Sequence, residues 1–130
     1  MKKLIFALFG SIAIVLTAFA ALETGDKAPD FEARASLAGE AFDFSLSDAL
    51  DKGTVVVYFY PSAYTRGCNI QAHEFAMNMD KFTAAGASVI GVSLDSLERL
   101  NDFSANPEYC AGKLAVATRT VKYRSPMTSQ

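Results

Sequence analysis

The sequence predicts an α/β fold with parallel strands joined by right-handed helical crossovers. It holds two short apolar, β-branched runs, and each is followed by a segment of helical period. The first run, Thr54-Val55-Val56-Val57-Tyr58-Phe59-Tyr60, suits a central strand buried on both faces. Pro61 ends it, because proline cannot donate to a ladder. From about Arg66 to Ala84, Ala72, Phe75, Met79 and Phe82 recur at helical spacing, with Gln71, Glu74, Asn78 and Lys81 between them. Ala85-Gly86 closes that helix, and Ser88-Val89-Ile90-Gly91-Val92-Ser93 is the second buried strand. Asp95 or Ser96 then caps a helix with Leu97, Leu100 and Phe103 on one face, stopped before Pro107. Upstream, residues 32–53 alternate small, polar and aromatic groups around Gly39 and Gly53. They read as a short edge strand or hairpin, then a helical turn opened by Ser45 or Ser47.

The chain has 130 residues, one domain at most, and 51 % of them are hydrophobic, enough for a packed core. A net charge of −2 suggests neither nucleic acid nor an anionic membrane as a partner. One His and two Cys argue against a four-ligand zinc site. Met1-Lys2-Lys3 is a basic head, Leu4 through Ala21 is apolar or small, and Ala18-Phe19-Ala20 has the pattern of a signal-peptidase site. An uncleaved membrane anchor is the other reading of this run. Cleavage is preferred because polar residues Glu23-Thr24-Gly25-Asp26 follow the small-residue site. The expected organisation is a signal peptide over residues 1–20, a domain over 21–117 and an irregular, polar tail over 118–130. A bacterial export signal implies the periplasm, where disulfides persist, with no membrane contact after cleavage.

The chemistry gathers at Pro61-Ser62-Ala63-Tyr64-Thr65-Arg66-Gly67-Cys68, where a buried strand ends and a long helix begins. Unpaired backbone N–H groups and the helix dipole favour an anion in such a first turn, and the thiolate is the nucleophilic form of cysteine. Thr65 can offer a hydroxyl to the sulfur and to a bound oxygen, and Pro61 fixes the loop. Taken alone, Cys68 reads as a small buried apolar residue, and Thr65 as a helix N-cap.

Pro61, Thr65 and Cys68 match the Pro-x-x-x-Thr-x-x-Cys motif of peroxiredoxins, in the subgroup resembling bacterioferritin comigratory protein. Ala28-Pro29-Asp30-Phe31 resembles that family's N-terminal signature, and Val57 through Pro61 its central strand. Gln71 stands where the family has a Gln or Glu that supports the active site. The stretch from Gly86-Ala87 through Val89-Ile90-Gly91-Val92-Ser93-Leu94-Asp95-Ser96 resembles its next strand and turn. The resemblance covers about residues 24–117. It implies a thioredoxin-like fold and a thiol peroxidase: Cys68 becomes a sulfenic acid on attacking a hydroperoxide, a resolving thiol forms a disulfide, and a thioredoxin-like dithiol restores it. The resemblance implies no metal, haem or flavin.

The sequence departs from this family in two places. Many members place a resolving Cys five residues after the first, where this chain has His73. His73 reads as a helix residue facing solvent or packing on the loop, and Cys68 with His73 as too few ligands for a metal. Cys110, in the loop-like Asn106-Pro107-Glu108-Tyr109-Cys110-Ala111-Gly112-Lys113, is the candidate resolving thiol, within the chain or across a homodimer. The second departure is the tail. After Leu114-Ala115-Val116-Ala117, relatives continue with further strands, whereas residues 118–130 lack apolar periodicity. A one-base shift of reading frame through that stretch can yield a sequence resembling the missing continuation, so a truncated or frameshifted copy is expected. The last strands would then be missing, a sheet edge would be uncovered, and neither Arg119 nor Arg124 has a motif around it that equates it with the family's anion-binding Arg. Two other classes stand beside the peroxidase: a thioredoxin-like oxidoreductase, against which the absence of Cys-x-x-Cys counts, and a catalytically weak remnant acting as a binding module.

Overall fold

The structure, a computed structural model, describes residues 21–123. Residues 1–20, read as an export signal, and residues 124–130 of the tail lie outside the described residues. The sheet opens with an antiparallel hairpin of β1 (Phe31–Leu37) and β2 (Glu40–Ser45). Its turn puts both Ala38 (φ 52°) and Gly39 (φ 84°) in the left-handed region, which matches the twist of the flanking strands. Ser45 accepts a hydrogen bond from the Asp48 amide at 3.3 Å and so starts α1 (Leu46–Leu50).

Then follow β3 (Thr54–Phe59), α2 (Arg66–Met77), α3 (Met79–Ala84), β4 (Ala87–Ser93), α4 (Leu97–Ala105) and β5 (Ala115–Tyr123). The strand order is β2-β1-β5-β4-β3. β3, β4 and β5 are parallel, as the strand–helix–strand pattern predicts, and β1 is antiparallel to both β2 and β5. The result is a mixed α/β sheet.

Two cores fill its faces. On one, Val89 and Val116 meet Ala72, Ala76, Leu100 and Phe103 from the helices, together with Cys110 and Leu114. On the other, Ile90, Val92 and Ala117 pack with Phe31, Ala33, Ala35 and Leu46. The alternation of Val89 with Ile90, and of Val116 with Ala117, is the period-2 pleat of strands covered on both sides.

Three expectations need correcting. β3 is an edge strand among the described residues, pairing with β4 alone. Its apolar run arises because Val56 and Tyr58 pack on one core while Val55 and Val57 pack on the other. Apolar content reports covered faces, not partners on both edges. The helix expected over 66–84 is broken at Asn78 (φ −101°, ψ 7°). There the Asn78 side-chain amide donates to the Glu74 carbonyl at 2.8 Å, a local bond that competes with helical continuation. Finally, the irregular tail does not begin at residue 118, since β5 runs on to Tyr123. Thr118, Thr120, Val121 and Tyr123 are good strand formers, and β1 supplies antiparallel partners as far as Phe31 with Tyr123. A polar stretch folds as strand when a neighbouring ladder waits for it.

Candidate active site

β3 ends at Phe59, yet Tyr60 stays on the ladder, its N–H donating to the Val92 carbonyl at 3.1 Å. Pro61 has no N–H to continue the pattern, so the chain leaves the sheet and crosses to α2. Tyr64 makes the turn with φ 64°, a left-handed conformation that costs a non-glycine residue roughly 1–2 kcal/mol. Thr65 follows as the N-cap of α2, but its side chain does not cap. Its Oγ1 donates instead to the Ser62 carbonyl at 2.8 Å. The first helical bond runs from Asn69 N–H to the Thr65 carbonyl at 2.8 Å. The first-turn amides, Cys68 among them, are therefore left without a side-chain acceptor, at the positive end of the helix dipole. Cys68 is a free thiol, partly buried, packed against the core beneath the loop.

The loop is tied to the turn after β4. Asp95 accepts from the Ala63 amide at 2.7 Å, from Ser62 Oγ at 3.1 Å and from Ser93 Oγ at 2.7 Å. Arg99 Nε donates to Asp95 at 3.1 Å, and Arg99 Nη2 to the Ala63 carbonyl at 2.9 Å. The same guanidinium lies 4.7 Å over the Tyr64 ring. Burial alone would raise the Asp95 carboxyl, but the Ala63 amide, the Ser93 and Ser62 hydroxyls and Arg99 outweigh it and hold the group below its ordinary value.

Cys110 is fully buried in the same core cluster against which Cys68 packs. Burial pushes its thiol up to about 12. Its stretch is not the loose loop expected from sequence. Asn106 accepts the Glu108 amide on its side chain and the Ala111 amide on its carbonyl, and Gly112 N–H reaches Ser104 at 2.9 Å. Tyr58 and Tyr60 pack in the same core cluster as the two thiols. Burial raises both phenols first, and the fields of Cys110 and Cys68 add to it.

Of the residues picked from sequence, Thr65 and Cys68 share one loop-to-helix junction, and Pro61 opens it. Pro61 lines an open groove of about 420 Å³ with Tyr60, Ser93 and Arg119. Gln71 is exposed and faces a different groove, with Phe75 and Phe82, and no hydrogen bond joins it to the loop. His73 lines a separate groove with Asn69, Glu108 and Tyr109. Among the described residues no cluster of three or more His, Cys, Asp or Glu could hold a metal.

A family model, the AhpC/TSA family, matches residues 24–124. The chain belongs to the AhpC/TSA family. Peroxiredoxin Bcp of Escherichia coli K12 is 41 % identical over 83 residues, covering 64 % of this chain and 51 % of the relative. In structure, peroxidoxin BcpB from Mycobacterium tuberculosis is similar with a TM-score of 0.66 and 29 % identity, over 76 % of this chain and 60 % of that one. The bacterioferritin comigratory protein of Xanthomonas campestris, described for its alkyl peroxide reduction activity, aligns with a TM-score of 0.53 and 29 % identity, over 65 % and 50 %. The chain spans about half the length of the curated relatives it matches. These neighbours confirm the thioredoxin-like α/β fold of the family. What sequence reasoning missed is the pair Asp95 and Arg99. Asp95 reads from sequence as a helix cap within a family-like turn, and its four-residue spacing to Arg99 is the visible ion-pair signal.

Proposed function

We propose that this chain is a thiol peroxidase centre in which Cys68 attacks the terminal oxygen of hydrogen peroxide or an alkyl hydroperoxide. The observation that carries the reading is the position of Cys68: third residue of α2, under first-turn amides that no side chain caps, with the Thr65 hydroxyl anchored nearby. In the reaction the thiolate forms an S–O bond as the O–O bond breaks. The sulfur is oxidised to sulfenic acid, and the leaving oxygen takes a proton to become water or alcohol. Cys110 then serves as the resolving thiol, its S–H condensing with the sulfenic acid to give a disulfide and water. Because Cys110 is buried inside a hydrogen-bonded turn, that step requires the 106–112 segment to open, whether the thiol comes from the same chain or from a second copy. A thioredoxin-like dithiol reduces the disulfide by exchange. Residues 1–20 would deliver the protein to the periplasm.

The reading is tested on the full chain, reduced and given one equivalent of hydrogen peroxide, with and without a sulfenic-acid trap, followed by peptide masses. A trap adduct on Cys68, or a Cys68–Cys110 disulfide, formed within seconds and absent from Cys68→Ser, is the expected result. Folded protein whose Cys68 stays unmodified for minutes refutes it. That outcome would favour a second reading, a binding module on an inactive thioredoxin-like core, for which the unpaired outer edge of β3 among the described residues speaks.

A further inference from the structure

We propose that Asp95 and Arg99 are positioning residues for the nucleophile, clamping the loop that sets Thr65 and Cys68 in place. The inference rests on the peroxidase reading above and adds to it the device that holds the geometry. Both backbone polar groups of Ala63 are held by these two side chains: the amide donates to Asp95 at 2.7 Å, and the carbonyl accepts from Arg99 at 2.9 Å, with a longer bond from Ser62 Oγ at 3.2 Å beside it. Ala63 itself is fully buried, so neither group has water as an alternative partner, and an unmet one would be costly. Asp95 also holds Ser62 Oγ, and the Ser62 carbonyl in turn receives the Thr65 hydroxyl at 2.8 Å. Every hydrogen bond from Asp95 to the loop thus ends one step from the Thr65 side chain. Between them Tyr64 sits at φ 64° under the Arg99 guanidinium, a strained residue that persists only where its surroundings over-determine it. The planar fork of arginine can meet Asp95, Ala63 and the Tyr64 ring at once, which a lysine ammonium cannot.

A clamp of this kind makes a selective prediction. Alkylation of Cys68 by iodoacetamide needs a thiolate and access. Attack on a peroxide also needs the oxygens held in line by the loop, and a displacement of about 1 Å in such a geometry can lower a rate on the order of a hundredfold. The experiment uses the full reduced chain and its Asp95→Asn, Arg99→Gln and Arg99→Lys variants. It measures Cys68 oxidation by hydrogen peroxide and Cys68 alkylation, each followed by peptide mass. We expect the ratio of the two rate constants to fall at least about tenfold in Asp95→Asn and Arg99→Gln, with Arg99→Lys between them and the wild type. An unchanged ratio, including a parallel fall of both rates, overturns the inference by assigning the pair to scaffold alone. Arg99 is half-exposed, so Arg99→Gln keeps the test decisive should Asp95→Asn fail to fold. A wild-type chain inert to peroxide overturns the peroxidase reading and this inference with it. A reactive wild type with indifferent variants overturns the inference alone.

Discussion

Replacing Gly91 by alanine should destabilise this protein, although the same change in an ordinary strand has the opposite sign. Gly→Ala at an unstrained position stabilises by roughly 0.4–1 kcal/mol, because the unfolded chain loses freedom. Gly91, however, pairs with Tyr58 across β4 and β3. A Cβ there would lie 2.7 Å from Tyr58 Cζ, 2.7 Å from its Oη and 2.9 Å from its Cε1. Carbon contacts settle near 3.5–4.0 Å, so the ring must withdraw by about 1 Å. It has little room: Tyr58 stacks on Phe75 with centroids 4.6 Å apart and on Tyr60 at 5.5 Å. Overpacking of this kind costs about 1–3 kcal/mol, and each kcal/mol lowers Tm by roughly 4–8 °C in a domain of this size. Thermal unfolding of the reduced chain, followed by circular dichroism, measures it. The Tyr58→Leu background isolates the cause, since a shorter side chain leaves space for the methyl and the penalty should largely vanish. An equal loss of Tm in both backgrounds would refute the steric reasoning.

Burial of Cys110 carries a pH consequence. Its folded thiol stays protonated until about 12, while the unfolded thiol ionises near 9.0. The contribution to stability is therefore complete below pH 9 and lost as pH rises from there toward 12; Cys110→Ala should remove that part of the alkaline decline in a denaturation series. In native protein at mildly alkaline pH, iodoacetamide should label Cys68 well before Cys110, and equal labelling would contradict the burial. The edge of β3, with Phe59 76 % exposed, is a template for strand pairing between molecules. Phe59→Lys should lower light scattering in concentrated samples, and unchanged scattering would clear this edge. The exposed Arg34–Asp43 pair at 2.6 Å on the hairpin is of the class worth about 0–1 kcal/mol. Arg34→Ala should leave both Tm and Cys68 reactivity nearly as they are.

The parts of the fold legible in the sequence were those whose signal is local. Val55 to Tyr58 and Val89 to Val92 announced strands by β-branched content, and Ala72, Phe75, Met79 and Phe82 announced a helix by period; all lie in elements of those kinds. The candidate site was read from the same kind of local signal, because Pro61, Thr65 and Cys68 fall within one short stretch of chain. What was not legible depends on partners distant in sequence. The strand character of residues 118–123 comes from β1, some 90 residues upstream. The edge position of β3 depends on sheet order, which apolar content does not encode. Asp95 and Ser96 were interchangeable as caps until the structure gave Ser96 the Arg99 amide at 3.3 Å and freed Asp95 to hold the loop.

That division of labour explains why the site can be well defined on a strand with one free edge. The hydrogen bonds that tie the chain from Tyr60 to Ala63 run to β4 and the turn after it, or stay within the loop itself. Val92 holds the Tyr60 amide, Gly91 leaves the space that Tyr58 fills, and the turn from Ser93 to Arg99 holds Ser62 and Ala63. β4 is itself paired on both edges, to β3 and β5, and buried from Val89 to Ser93. The loop that leads to Cys68 is thus fastened to a strand paired on both edges, and not only to the edge strand that carries it. Changes confined to the outer edge of β3 then act on association between molecules, and changes along residues 91–99 act on Cys68, even though none of those residues belongs to the helix on which it sits.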